Sequence, residues 1–129
     1  MVYRSTLGLE YVGGCNREMA QRGGDRMKIV FISQPMAGKT SEEIQEERWQ
    51  EHRIAEKLFP DEELVFMRGI IKREPPYGCT NVDMWYLGQA ILCMAEADVA
   101  MFTKGWEKAR ECKIEHEVAI AYGLDVKER

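Results

Sequence analysis

The stretch that decides the fold is Lys28–Ser33, which reads KIVFIS. It is a nearly continuous apolar run of strand length, and such runs are typical of parallel strands that helices cover on both faces. A helix signal follows closely, because Thr40 and Glu43 have the spacing of a capping box. We therefore predict a buried first strand, then a loop, then a helix that continues to about Leu58 and is stopped by Pro60.

The same alternation of short apolar runs and helical stretches continues toward the C-terminus. Residues 64–67 (LVFM) and 98–102 (DVAMF) predict two further buried strands, and residues 124–126 predict a short edge strand. Strand–helix alternation of this kind implies parallel strands joined by right-handed crossovers. The fold class predicted from the residues is therefore α/β, as a single domain with a small parallel sheet flanked by helices.

Helical spacing of apolar residues predicts a helix near residues 83–97 and another near residues 108–122, which Gly123 ends. The apolar residues expected on one face of the first helix are Met84, Leu87, Ile91 and Met94. Those expected on one face of the second are Ile114, Val118, Ala121 and Tyr122. Between the second strand and the first of these helices, residues 69–81 form a long irregular connection, and connections of that length are usually functional or mobile.

Charge and composition exclude some classes of partner. The chain has 129 residues and a net charge of −4, which argues against a nucleic-acid polymer or an anionic membrane as partner. No apolar run approaches the roughly 18 residues that span a bilayer, and the N-terminus lacks the apolar core of a signal peptide. We therefore expect a cytoplasmic protein. Residues 1–26 show no convincing period. We expect them to be an N-terminal extension, either disordered or an upstream-start artefact, to a domain at residues 27–129.

The four cysteines are too widely spaced for a zinc knuckle or a redox pair. The two histidines, His52 and His116, are also far apart in the sequence, so we expect no metal site and reduced, structural thiols.

Two loops follow predicted strands and enter helices, where free N–H groups favour an anion: residues 33–40 (SQPMAGKT) and 103–110 (TKGWEKAR). The first nearly matches the phosphate-binding P-loop through Gly38 and Lys39, but Ser33 replaces its first glycine. A P-loop-like NTPase is therefore a lesser alternative. In the second loop Trp106 either stacks on a base or plugs the end of the sheet.

Glu115 is the candidate catalytic residue. On the last predicted helix it lies one position past Ile114, at the edge of the apolar face, in a stripe with Cys112 and Ala119. A carboxylate partly desolvated against the sheet would have a raised pKa and would serve as a nucleophile or a base. The alternative is a solvated glutamate on a charged helix.

Four short motifs resemble one known family. They are ISQPM at residues 32–36, ADV at 97–99, GWEKAR at 105–110 and IEHEVA at 114–119. In this order they resemble the nucleoside 2-deoxyribosyltransferase-like superfamily, and within it the small bacterial and phage proteins of the DUF4406 type, over about residues 28–124. The resemblance implies a flavodoxin-like three-layer sandwich with about three to five strands. It also implies a pocket for a small-molecule nucleoside or nucleotide, and a homo-oligomer.

The resemblance also implies roles for individual residues. Glu115, with Ala119 four residues later, matches the glutamate that attacks C1′ of the sugar. Asp83 matches the aspartate that contacts the sugar and is the second candidate catalytic residue, which would orient the sugar or the nucleophile. With the two loops, the candidate substrate-binding residues are Ser33, Gln34, Pro35, Met36, Gly38, Lys39, Gly105, Trp106 and Cys112. This chemistry needs no metal and no organic cofactor.

Three positions depart from the family pattern. Gln34 and Glu111 stand where glycines are usual, and Ala109 stands where some transferases have the acid that protonates the leaving base. The expected function is N-glycosidic hydrolysis or deoxyribosyl transfer by a glutamate nucleophile. The alternative is a non-catalytic module that binds or sequesters a nucleotide on the same fold.

Overall fold

The computed structural model describes residues 10–11, 27–67 and 74–129. The strands in these ranges are β1 (Glu10–Tyr11), β2 (Lys28–Ser33), β3 (Leu64–Met67), β4 (Val99–Phe102) and β5 (Asp125–Glu128). The helices are α1 (Ser41–Leu58), α2 (Val82–Met94) and α3 (Arg110–Ala121), and a short 3-10 helix (Trp106–Lys108) precedes α3.

The strands form one sheet in the order β1-β3-β2-β4-β5, and each described pairing is parallel. Val30 of β2 lies opposite Phe66 on one side and Val99 on the other, so β2 is central. From β3 to β5 this is the flavodoxin-like order, in which the first strand of the unit lies between the second and the third. The predicted α/β class with a small parallel sheet is confirmed, and the direction of winding reverses between β2 and β4.

Helices cover the sheet on both faces. Phe31, Met67 and Phe102 belong to a buried cluster that includes Met94 of α2 and Ala119 of α3. Val30, Ile32, Phe66 and Met101 belong to a second buried cluster that includes Ala55 of α1. Because successive residues of each inner strand are buried on opposite faces, these strands read as apolar runs rather than as alternating patterns.

Several predicted boundaries are confirmed. Strands β2 and β3 have the predicted limits, and α1 ends at Leu58 after a capping box in which Thr40 and Glu43 bond reciprocally. Helix α2 ends at Met94, earlier than predicted. The chain leaves the helix there and brings Asp98 to β2, where the carboxylate accepts a hydrogen bond from the backbone N–H of Ile29 at 2.8 Å.

Three of the four residues predicted for the buried face of the last helix are exposed, whereas Val118 is half-buried and packs against the core. Tyr122 is 84% exposed, and Ile114, Ala121 and Ile120 are also exposed, whereas the buried residues of α3 are Cys112, Glu115 and Ala119. The small side chains of Cys112 and Ala119 bring this face of the helix close to the sheet. Glu115 can share the same face because a polar partner meets its carboxylate, as described below.

The face predicted for α2 is partly wrong. Met94 is buried and Leu87 and Ile91 are half-buried, but Met84 is 64% exposed. The first three residues of α2 are all exposed, so the Met84 side chain does not reach the core.

Much of two predicted segments lies outside the described residues. Of residues 1–26, only Glu10–Tyr11 is described, and this pair forms a parallel edge strand with β3 rather than standing apart from the sheet. Of the long connection at 69–81, residues 69–73 lie outside the described ranges. None of the helices in the described ranges is both long and apolar enough to cross a membrane.

Candidate active site

A cavity of about 570 Å³ opens where β2 ends and α3 begins. This is the crevice at the carboxyl ends of the strands, at the reversal of winding, where proteins with this type of sheet bind ligands. From the β2 end and its loop, the cavity is lined by Phe31, Ile32, Ser33, Gln34, Pro35, Met36 and Ala37. From the other side it is lined by Asp83, Tyr86, Leu87, Ala90 and Cys93 of α2, and by Gly105, Lys108, Ala109, Arg110, Glu111, Cys112 and Glu115.

Glu115 is the buried carboxyl group of this cavity. Glu115 is only 7% exposed, and its Oε1 accepts a hydrogen bond of 2.6 Å from the Ser33 hydroxyl. Burial raises the pKa of Glu115 to about 7; the Ser33 hydrogen bond opposes this and the nearby Glu111 carboxylate adds to it. The group therefore exchanges its proton close to neutral pH, which suits a nucleophile or an acid–base catalyst.

Strand alternation explains why Ser33 meets Glu115. Phe31 packs in the cluster on the α2–α3 side of β2, and Ser33, two residues later, presents its side chain to the same face. Ser33 is also the last residue of the strand, so its hydroxyl lies at the end of the sheet where α3 crosses it.

The next residue, Gln34, faces α1 instead. Its side-chain amide donates to the backbone carbonyl of Ile44 at 2.8 Å and to the carboxylate of Glu47 at 3.2 Å. Glu47 also binds the Lys39 ammonium through both oxygens, at 2.9 and 2.8 Å. These contacts tie the loop after β2 to α1, and they hold Lys39 against Glu47 rather than among the residues that line the cavity.

The two loops of the site approach each other at Gly105. This residue has a φ of +89°, which favours glycine, and an added Cβ would lie 3.9 Å from Cγ of Pro35. Gly105 and Pro35 therefore bring the loop after β4 against the loop after β2.

A charged group lies at the rim of the cavity, at the start of α3. The Arg110 guanidinium contacts the carboxylate of Glu111 at 2.6 Å and that of Asp83 at 3.4 Å. The side chains of Arg110 and Asp83 are largely exposed, so this pair stabilises the fold little. Asp83 thus lies at the mouth of the cavity and not beside the buried Glu115 carboxylate.

Trp106 does not line the cavity. Its ring stacks on that of His116 with centroids 4.1 Å apart, and it lies 5.7 Å from the ring of Phe102. Of the two interpretations left open by the sequence, packing at the end of the sheet is the one that this geometry favours. His116 in turn contacts the Glu128 carboxylate at 2.5 Å, which joins α3 to β5.

Cys112 lies one turn before Glu115 and lines the same cavity. Burial raises the pKa of its thiol to about 11, so the thiol is protonated at neutral pH and is a poor nucleophile. In the described ranges, Cys79 and Cys112 are free thiols, and no group of three or more potential ligands among His, Cys, Asp and Glu could hold a metal ion.

Most of the candidate residues come together in this cavity. Those that line it are Ser33, Gln34, Pro35, Met36, Asp83, Gly105, Cys112 and Glu115, whereas Gly38, Lys39 and Trp106 do not. Four residues of α2 that the sequence did not mark as site residues also line the cavity: Tyr86, Leu87, Ala90 and Cys93. The spacing of Tyr86, Ala90 and Cys93 marks one helical face, but which face meets the sheet edge depends on the tertiary fold.

No family model matches the chain, and comparison with curated proteins and with solved structures finds no significant match either.

Proposed function

We propose that this protein binds a nucleoside or nucleotide in the cavity and cleaves or transfers its N-glycosidic bond, with Glu115 as the nucleophile. The observation that carries the proposal is a buried glutamate, 7% exposed and held by the Ser33 hydroxyl, in a cavity at the carboxyl ends of parallel strands. The motif resemblance supports it independently, because Glu115 matches the family's nucleophile.

The first chemical step joins the Glu115 carboxylate to the sugar. A bond forms between a carboxylate oxygen and C1′ while the C1′–N bond breaks, and the electrons of that bond leave with the base, which takes up a proton from water. The resulting sugar ester is then attacked by water, which gives hydrolysis, or by a second base, which gives transfer. The ionised form of Glu115 is the reactive one, so the Ser33 hydroxyl favours catalysis by opposing the effect of burial on the pKa.

The walls of the cavity suit the two parts of such a substrate. Tyr86 and Leu87 of α2 supply an aromatic and an aliphatic surface for a base, and base–aromatic stacking contributes about 1–3 kcal/mol. Asp83 at the rim has a carboxylate that can accept hydrogen bonds from sugar hydroxyls. Pro35 and Met36 line the cavity from the loop after β2.

A non-catalytic binding protein is the second candidate, and Ala109 is the observation that favours it. This residue lines the cavity six positions before Glu115, and its methyl group cannot protonate a leaving base. A protein of this kind would bind the ligand and leave the glycosidic bond intact. A P-loop NTPase is less well supported, because Lys39 pairs with Glu47 and does not line the cavity.

The experiment that tests the proposal is release of free base from a panel of nucleosides and 5′-nucleotides, in deoxy and ribo forms. Wild type is compared with Glu115→Ala and with Glu117→Ala, an exposed glutamate on the same helix that serves as control. Release by wild type and the control, lost in Glu115→Ala, supports the enzyme. Thermal stabilisation by one of these ligands without release supports the binding protein. No release and no stabilisation by any member of the panel contradicts both. The expected homo-oligomer and cytoplasmic location stay predictions.

A further inference from the structure

The lining of the cavity contains more acidic than basic side chains. It contains three carboxyl groups, those of Asp83, Glu111 and Glu115, and two cationic side chains, those of Lys108 and Arg110. The Arg110 guanidinium is already engaged by two of these carboxylates, through Glu111 Oε1 at 2.6 and 3.1 Å and Asp83 Oδ2 at 3.4 Å.

The carboxylate of Glu111 lies at the start of α3. Ala109 at the N-cap position offers no side-chain acceptor, so the first N–H groups of the helix are available to an anion. Glu111 lies in this first turn, and the Arg110 guanidinium and the residue's own backbone N–H lower its pKa. The Glu111 side chain therefore stays ionised at the position where a bound phosphate would meet the helix dipole.

Lys39, the cation of the loop after β2, is also paired with a carboxylate. Lys39 Nζ contacts both oxygens of Glu47 on α1, at 2.9 and 2.8 Å, and the Lys39 side chain does not line the cavity. Lys108, on the 3-10 helix before α3, lines the cavity and has no ion pair among the described residues, so Lys39 and Arg110 are the loop cations that carboxylates neutralise.

We infer that the cavity selects nucleosides without a 5′ phosphate, and that Glu111 is the residue that determines this specificity. The inference rests on the proposed function, and it narrows the substrate class to uncharged nucleosides. Glu111 acts in two ways: its charge repels a phosphate at the start of α3, and it occupies the Arg110 guanidinium that would otherwise bind one.

The test compares dissociation constants, measured by calorimetry, for matched pairs of nucleoside and 5′-monophosphate. The proteins are wild type, Glu111→Gln and the control Glu107→Gln, which removes an exposed carboxylate of the preceding 3-10 helix that does not line the cavity. The readout is the ratio of the two constants, because the ratio cancels effects on folding and on base recognition. A nucleoside that carries a 5′-dimethyl phosphate ester, equally bulky but uncharged, separates repulsion from lack of space.

The expected result is weaker binding of the monophosphate than of the nucleoside by wild type and by Glu107→Gln. In Glu111→Gln the ratio should fall about tenfold, equivalent to about 1.4 kcal/mol. Added salt should lower the wild-type ratio, since screening weakens repulsion at the exposed rim.

Two results would overturn the inference while leaving the proposed function intact. They are equal or tighter binding of the monophosphate by wild type, and exclusion of the uncharged ester as strongly as the monophosphate with no change of ratio in Glu111→Gln. Binding of neither compound by wild type contradicts the proposed function itself, and the inference with it.

Discussion

The Ser33 hydroxyl lies 2.6 Å from the Glu115 carboxylate, although the two residues are 82 positions apart in the chain. The hydroxyl donates this hydrogen bond from the last residue of the central strand to a buried helix residue. It joins the two elements that form the cavity, and it favours the ionised form of the carboxyl group, which burial disfavours.

Replacing Ser33 by Ala should shift the pH dependence of base release upward. Without the hydroxyl the pKa of Glu115 rises above its value of about 7, so less of the reactive carboxylate is present at neutral pH. We expect activity at pH 7 to fall several-fold and to recover in part at higher pH. The pH–rate profile checks this, with Ser41→Ala, an exposed serine at the start of α1, as control. A profile that keeps the wild-type midpoint in Ser33→Ala would contradict the role given to the hydroxyl.

Glu115→Gln should change how folding stability depends on pH. The pKa of Glu115 is raised to about 7 in the folded protein from 4.5, so the folded state binds more protons than the unfolded state between these values. Wild type therefore loses stability as the pH rises through this window, by up to about 3 kcal/mol, and the variant does not lose this part.

Urea denaturation of wild type and Glu115→Gln at pH 5 and pH 8 measures the difference. The variant should gain stability relative to wild type at pH 8, and the matched control Glu117→Gln should not. Equal pH dependence of wild type and Glu115→Gln would show that the carboxyl group is not desolvated.

His52 should have the opposite effect on the acid side. Burial, with a smaller effect of Arg48, lowers the pKa of His52 from 6.5 to about 3, and its ring stacks on Phe66 with centroids 3.9 Å apart. The unfolded state takes up this proton first, so stability is present above about pH 6.5 and is lost as the pH falls toward 3.

His52→Phe keeps an aromatic ring on Phe66 and removes the titration. As the pH falls from about 6.5 toward 3, the free energy of unfolding of the variant should therefore decrease less than that of wild type, by about 1.4 kcal/mol for each pH unit. Acid titration followed by circular dichroism tests this, and superimposable acid limbs would contradict a neutral, buried His52.

Cys112 should resist alkylation in the folded protein. Cys112 is buried, and the pKa of its thiol is about 11. At pH 8 the ionised fraction of this thiol is therefore about a hundredfold smaller than that of an ordinary cysteine of pKa 9.0. Mass mapping after iodoacetamide treatment should show Cys79, which is only half-buried, modified well before Cys112. Modification of both at similar rates in the folded protein would contradict the burial of Cys112, and unfolding in urea should remove the difference.

The sequence was sufficient to predict strands β2 to β5, because local signals and the fold agree there, whereas β1 lies in the segment predicted to be an extension. The apolar run of β2 and the capping box of α1 are each specified by a few adjacent residues, and both have the predicted limits. A parallel order also follows from the alternation of strands and helices.

The site could be predicted only in part, because it depends on which face each helix buries. The spacing of hydrophobic residues in α3 does not predict that a glutamate belongs to the buried face. Glu115 can be buried there because Ser33, 82 positions away in the chain, donates a hydrogen bond to its carboxylate. For the same reason the sequence did not predict that Tyr86 of α2 lines the cavity. For Lys39 a loop motif suggested an anion site, whereas Glu47 on the next helix supplies the opposing charge.

The most direct test of the catalytic role of Glu115 is a search for the sugar ester that it should form. A reaction of wild type with a nucleoside that it cleaves is quenched in acid, and the intact protein and its peptides are weighed by mass spectrometry. We predict a species heavier by one sugar, with the added mass on the peptide that contains Glu115, and its absence in Glu115→Gln. Base release with no such species, or with the added mass on another residue, would contradict Glu115 as the nucleophile.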